Sequence, residues 1–418
     1  MSGREHDLVL YGASGFVGRL VAEQLAEHAP GGLRVALGGR SRQRLERVRA
    51  GLPGEASAWP IVTADSSDAA ALEALANSTR VVATTVGPYL RYGLPLAMAC
   101  ARAGTHYADL TGEALYVRQL IDQCQDIAEG TGARIVTACG YDSIPSDLGV
   151  LLLHERAGAD DAGALLDTTL QARAKGGLSG GTIDSLRAQL EAVAVDPGLR
   201  RLLSDPHALA PDPEVEPRQG GERDVRTVFP DAETGQWAGP FIMASFNSRI
   251  VRRSNALLGH AYGSRFRYRE VSAYGTGAGG FLRATAVSGV LGLAMTAMGI
   301  PWTRRVFDRL APSPGEGPSE EARRSGRFRM ETRTVTEGGR RYLAVVAAQG
   351  DPGYAATSVM LAEAALCLAV DEEQLPARAG VLTPATAMGA VLAKRLRRRG
   401  FTLTVHELGV PEGSGRSG

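Results

Sequence analysis

The sequence predicts a doubly wound α/β domain on a parallel sheet, followed by a second α+β domain with a mixed sheet. Three observations carry this. Six short apolar runs alternate with helical segments before about residue 140, the signature of parallel strands joined by right-handed crossovers. A glycine run, Gly12-Ala13-Ser14-Gly15-Phe16-Val17-Gly18, stands directly between the first apolar run and the first helix. After about residue 150 the alternation stops and longer strand-like runs and Ala-rich helical stretches take over.

The elements follow in order. Residues 7–11 read as a buried strand and 16–28 as a helix. Residues 33–38 form the second strand and 41–52 a charged helix. Strand three is 60–64, with Ser67 as the cap of a helix over 68–77. Strand four covers 80–86 and stops at Gly87-Pro88. A helix at 94–103 leads to strand five at 106–110. A long helix over 113–129 leads to strand six at 133–138. Beyond this, 165–173 reads as a strand, and Gly176 to Gly181 forms a loop before a helix over 182–193. Residues 204–240, rich in Pro, Gly and Asp, read as an irregular excursion. Two strands, 326–336 and 340–349, meet at a Gly338-Gly339 turn. Helices are expected at 354–370 and 384–399. The resulting division is 1–150 for the first domain, 151–350 for the second, and 351–418 for helices that pack back on the first.

The chain has 418 residues, 44% of them hydrophobic, with 46 Lys+Arg against 45 Asp+Glu. A net charge of +1 gives no broad positive field for nucleic acid. Only Lys175 and Lys394 are lysines. The four cysteines, Cys100, Cys124, Cys139 and Cys367, form no CxxC pair, and the histidines lack ligand spacing, so no metal site is expected. Scattered thiols and a charged start leading into a strand fit a cytoplasmic protein. Residues 284–303 carry no charge. They form a pocket-covering helix, an interfacial surface that meets lipid, or a membrane span.

The glycine run carries the chemistry. Gly12 permits a tight turn, Gly15 lets the backbone approach a pyrophosphate, and Gly18 allows close helix–strand packing. The amides of Ser14, Phe16 and Val17 open the helix toward the phosphates. This is a Rossmann dinucleotide-binding arrangement. At the end of strand two, where an NAD site carries an acid, the chain reads Gly38-Gly39-Arg40-Ser41. Arg40 and Ser41, with Arg44 a turn later, suit a 2′-phosphate, so the cofactor is NADP(H). Asp65 contacts the adenine amine or caps the next turn. Thr85, Val86, Gly87 and Pro88, ending strand four, face the cofactor's ribose or nicotinamide.

The motifs GASGFVG, GGR, TTVGPYLRYG (84–93), YADLTGE (107–113) and CGYDSIPSD (139–147) together resemble the saccharopine dehydrogenase-like oxidoreductases. So do residues 350–369 and 380–389. Within that group, residues 246–270 resemble the trans-acting enoyl reductases of actinobacterial lipid and polyketide assembly. The resemblance spans nearly the whole chain. It implies a Rossmann domain, a mixed second domain, and NADPH-dependent reduction of a hydrophobic acyl or polyketide intermediate bound to a carrier or synthase. It leaves open a saccharopine-type imine reductase and a non-catalytic, lipid-associated NADP-binding protein.

Enoyl reduction needs a donor to the developing enolate and a proton for the α-carbon. Tyr141, Asp142 and Ser143 follow strand six and are the catalytic candidates: Tyr141 or Ser143 as donor, Asp142 to orient it, with Tyr89 and Tyr92 as rivals. No Tyr-x-x-x-Lys pair supports a short-chain dehydrogenase mechanism. Lys175 and its glycine loop are a second anion site or a plain turn. Arg249, Arg252, Arg253, Arg265, Arg267 and Arg269 form a solvated face or dock an acyl-carrier partner. Peripheral lipid contact and a homodimer complete the expected partners.

Overall fold

The computed structural model describes residues 3–176, 180–220, 222–298 and 318–409. The first sheet contains β1 (His6–Tyr11), β2 (Val35–Gly39), β3 (Ile61–Thr63), β4 (Thr79–Thr84), β5 (His106–Ala108) and β6 (Arg134–Val136). The second contains β7 (Leu165–Lys175), β8 (Phe229–Pro230), β9 (Trp237–Gly239), β10 (Arg267–Ala273), β11 (Arg327–Thr336) and β12 (Arg341–Gln349). Two late strands divide between them: β13 (Gly380–Leu382) joins the first and β14 (Thr402–Leu408) the second.

The first sheet runs β3-β2-β1-β4-β5-β6-β13 and is parallel throughout. Strand order reverses between β1 and β4, which places a ligand crevice at their carboxyl ends. The inner strands are apolar because both faces are covered: Leu8, Val9, Leu10, Val81, Val82 and Ala83 are all fully buried. The helices α1 (Phe16–His28), α2 (Arg42–Ala50), α3 (Ala69–Ser78), α4 (Tyr89–Ala103) and α5 (Ala114–Thr131) make the crossovers. The Ala-rich helix Thr357–Val370 packs beside α1 over β4 and β5. Its apolar length is therefore that of a core helix.

Two boundaries differ from expectation for local reasons. Ser67 does not cap α3. Its N–H and hydroxyl both donate to Asp65 Oδ1, and Asp68 accepts the Ala71 N–H instead. The helix expected from residue 94 begins at Tyr89, because the Glu113 carboxylate accepts the Tyr89 and Leu90 N–H groups at 2.9 and 2.7 Å.

Helix α6 (Ile144–Ala159) leaves β6 and packs on the second sheet at β7, β11, β12 and β14. That sheet runs β14-β12-β11-β7-β10-β9-β8, antiparallel except for β7 and β10. Between β7 and β10 lie α7 (Gly180–Val195), α8 (Gly198–Ser204) and α9 (Ala244–Leu257), and beyond β10 the exposed α10 (Gly277–Met298). The excursion at 204–240 contains β8 and β9, a short hairpin not foreseen from composition. The helix expected at 384–399 is two, Pro384–Ala387 and Gly389–Arg398, and Gly389 takes a left-handed φ of +47° at the break. The segment expected as 351–418 packing on the first domain thus gives a strand to each sheet.

The arginines of α9 overturn one expectation. Arg249, Arg252 and Arg253 are 3%, 6% and 1% exposed, not a solvated face. They reach main-chain carbonyls: Arg249 the Leu203 oxygen, Arg252 those of Glu222 and Tyr268, and Arg253 those of Leu209 and Val381. Each bond ties α8, the polar excursion, β10 or β13 to the core, and buried carbonyls need such donors. Burial pushes the Arg253 guanidinium down to about 9. Replacing Arg253 with Met leaves two buried carbonyls without donors. We expect a loss of about 2–4 kcal/mol in urea-induced unfolding; an unchanged midpoint would show that these bonds hold nothing in place.

Candidate active site

The glycine turn closes onto the end of β4. Gly12 takes φ +90°, and a Cβ there would stand 2.7 Å from Val86 Cγ2 and 2.8 Å from Thr85 Oγ1. A Cβ on Gly18 would meet the Gly12 carbonyl oxygen at 2.2 Å. The Thr85 hydroxyl donates to that carbonyl at 3.2 Å. Gly15 is the N-cap of α1 and brings no side-chain acceptor to its first amides. Phe16 and Val17 open the helix, and Ser14 is partly exposed beside them. A diphosphate fits here because the donors are free and no Cβ fills the cradle.

The residues expected to meet the adenosine lie at the ends of β2 and β3. Arg40 is exposed and makes no hydrogen bond or ion pair among the described residues. The Ser41 hydroxyl accepts the Arg44 N–H at 3.4 Å, so it caps α2. The Asp65 carboxylate accepts two bonds from Ser67, which hold it below the usual carboxylate range. Tyr11 closes the floor by donating to the Ala64 carbonyl. One residue joins the phosphate end unannounced by any motif. The Arg323 guanidinium lies 5.4 Å from the Phe16 ring centroid, and Tyr354 meets the same ring edge-on at 5.0 Å.

Gly87 and Pro88 lead from β4 into α4, and Tyr89 beyond them is structural. Its hydroxyl donates to the Thr84 carbonyl and accepts the Leu110 N–H. Tyr92 is 44% exposed. With both bonds made, the Tyr89 hydroxyl is not a free donor in the crevice.

The loop after β6 is held by Asp109, whose carboxylate accepts the Thr111 and Ala138 N–H groups and the Tyr107 hydroxyl, each at 3.0 Å. Burial pushes this carboxyl up to about 7. Ala138 sits at φ +60° in this anchored turn. Of the three catalytic candidates, the structure separates one from the others. The Ser143 hydroxyl is fully buried and donates to Asn247 Oδ1 at 3.1 Å. Asn247 in turn donates to Ser146 and Glu270, so Ser143 belongs to an interior network. Tyr141 and Asp142 stay near one another at the seam of the two domains. The Tyr141 N–H donates to Thr357 Oγ1 and its ring packs on Phe328 at 5.1 Å. Its hydroxyl is buried without a hydrogen-bond partner among the described residues, facing Asp142 and Glu270. The Asp142 carboxylate lies between Gly112 and Gly140, with Met243 alongside. Burial pushes it up to about 7.

Lys175 ends β7 in solvent, and Gly177 to Ser179 of its glycine loop lie outside the described residues. All four cysteines are buried and unpaired, and no cluster with metal-binding geometry occurs among the described residues.

Residues 8–136 match the family described as the saccharopine dehydrogenase NADP-binding domain. A trans-acting enoyl reductase of Mycobacterium bovis is 45% identical over 96% of this chain and 97% of its own. One from Mycobacterium ulcerans is 44% identical over 97% and 99%. The chain belongs to the trans-acting enoyl reductase family. It is an NAD(P)-dependent oxidoreductase with an NADP-binding Rossmann domain. A Mycobacterium tuberculosis protein, itself a candidate member, reaches 50% identity over 97% of this chain and 98% of that one. Among solved structures, apo saccharopine dehydrogenase from Saccharomyces cerevisiae shares the fold, with a TM-score of 0.56 at 13% identity over 97% of this chain and 100% of that one.

The family motifs contain Asp109, Glu113, Asn247 and Glu270 as well as Tyr141 and Asp142, but no residue pattern gives those four a role, and Arg323 lies outside every motif. Glu113 left a trace: an acid within a short loop beside a helix start. The pH consequence of Asp142 is direct. The native carboxyl keeps a proton up to about 7, whereas an unfolded aspartate releases it near about 3.9. Stability contributed by this group is present below the unfolded value and lost as pH rises between the two. Asp142→Asn should flatten that decline, read from unfolding free energies at several pH values. A variant with the wild-type slope would remove Asp142 as its source.

Proposed function

We propose that the protein is an NADPH-dependent enoyl reductase of a hydrophobic acyl intermediate held by a synthase. The observation that carries the reading is the buried Tyr141 hydroxyl, a donor that no group among the described residues uses, beside a carboxyl that keeps its proton near neutral pH. NADPH, when bound, supplies the hydride to the β-carbon of an enoyl thioester. The chain's own residues do the rest. The α1 amides receive the diphosphate, Arg40 grips the 2′-phosphate, and Arg323 adds positive charge over Phe16. Tyr141 donates to the thioester oxygen as enolate charge develops there. Asp142 holds the proton required at the α-carbon. Leu110 and Met243 border the carboxylate and keep the seam apolar.

Two tests follow. Trans-2-enoyl thioesters should drive NADPH oxidation, and Tyr141→Phe should lower kcat about 100-fold while NADPH affinity stays near wild type. Absence of turnover across chain lengths refutes the reading. Separately, Arg40→Ala should cut the preference for NADPH over NADH by about tenfold or more, since one charge-assisted phosphate contact is worth about 1.5–3 kcal/mol. An unchanged ratio in calorimetry would place the 2′-phosphate elsewhere.

A lipid contact is favoured by α10. From Ala284 to the end of the helix it carries no charge, yet Val290 and Leu293 are 69% and 72% exposed. Among the described side chains of the helix, only Gly280 and Ala284 are buried. An apolar surface this wide suits an acyl-chain environment. The paired change Val290→Glu and Leu293→Glu should abolish flotation with liposomes; equal flotation would exclude this helix as the contact.

A further inference from the structure

The second sheet gives one face to the core and leaves much of the other open. Phe328, Met330, Leu170 and Tyr268 point inward and are buried. The alternate residues share the outer face. Register sets Arg327 beside Lys175 and Arg329 beside Arg173 across β11 and β7. Across β10 and β7 it sets Arg267 beside Asp167 and Arg269 beside Thr169. The outer face is therefore rich in cations.

Few acids offset them. Glu331, only 8% exposed, lies within 3.5 Å of Arg173, 2.7 Å of Arg329 and 3.1 Å of Arg333. One carboxylate serves three guanidiniums. Asp167 pairs with Arg267 at 2.7 Å, and Glu233 from the loop after β8 reaches Arg341 at 2.6 Å. Lys175, Arg269 and Arg327 are exposed and make no ion pair among the described residues. Arg269 meets only Thr169 Oγ1 and the face of Phe229. In a chain of net charge +1 this is a local surplus, not a reflection of composition.

The surplus leads toward the active site. A Cβ on Gly176, next to Lys175, would stand 2.9 Å from Pro352 Cδ. Two residues on, Tyr354 packs against Phe16 at the diphosphate turn. The Lys175–Arg327 end of the face thus lies at the rim of the cofactor crevice.

We propose that this basic face docks an acidic carrier domain that presents the acyl substrate on a phosphate-bearing arm, entering at the Lys175–Arg327 end. The proposal rests on the enoyl-reductase reading for its substrate. Charge complementarity selects the occupant. A second copy of the chain meeting this face about a two-fold axis would set like charges against each other. Lipid is suited to α10 rather than to a guanidinium lattice.

The test uses one enoyl group in two forms: loaded on an acidic acyl-carrier protein, and as the uncharged N-acetylcysteamine thioester. The variant is Arg269→Glu with Arg327→Glu. KM for the carrier-bound form should rise about tenfold or more at low salt, with the gap closing as salt is added. Kinetics with the N-acetylcysteamine thioester should stay within about twofold of wild type. An unchanged carrier KM overturns the proposal. So does an equal loss on both substrates, a wild-type dimer that charge reversal splits, or a nucleic acid retained by the wild type and released by the variant. Should the wild type reduce neither thioester, the enoyl-reductase reading falls by itself. Docking is then decided by calorimetry with the carrier protein: heat lost on charge reversal supports it, and equal heat overturns it.

Discussion

The molecule depends on how closely the main chain can pass itself at the start of α1. No side chain fits at residue 18, because the Gly12 carbonyl oxygen occupies the space, and none fits at residue 12 against Val86 and Thr85. This contact seats the helix opening at the end of β1 and presses the end of β4 against the same turn. One steric constraint therefore shapes both the helix opening and the end of β4 beside it. The rest of the crevice is arranged around it by carboxylates that hold amides. Asp109 fixes the loop after β6, and Glu113 fixes the start of α4. These acids act as structural acceptors, whereas the Asp142 carboxyl at the seam has, among the described residues, no bond beyond its own main chain.

Arginine does two kinds of work here. In α9 it is interior, and its planar fork reaches carbonyls from separate segments and draws the polar excursion onto the core. On the outer face of the second sheet it is exposed and outnumbers its acids. The two roles differ by the available partner. Unpaired main-chain oxygens pull a guanidinium inward, and a shortage of carboxylates leaves it facing solvent. A run of arginines in sequence gives no hint of this division. Arg253 and Arg269 stand sixteen positions apart, one buried and the other exposed.

The first sheet was legible almost strand by strand, because buried parallel strands read as apolar runs and glycines mark the turn between β1 and α1. The second sheet was legible only in β7, β11 and β12. Strand β10 escaped because it alternates Arg, Tyr, Arg and Glu, with Glu270 turned inward onto Tyr268 and Asn247. Strands β13 and β14 escaped because their partners lie far away in sequence, at Arg134 and Arg341 among others. The site divided in the same manner. The cofactor candidates sit on one local turn and its neighbours, whereas Asn247, Glu270 and Arg323 reach their places through tertiary packing alone.

By itself, the sequence determined the dinucleotide turn, the parallel character of the first sheet and the absence of an acid at the end of β2. Each is a local matter of glycine sterics, strand hydrophobicity and residue type. Only the tertiary structure decided that Ser143 is withdrawn into a hydrogen-bond network while the Tyr141 hydroxyl has no partner among the described residues, and that the arginines of α9 are buried. Those outcomes turn on which distant acceptors arrive within bonding distance, and neighbouring residues do not encode that.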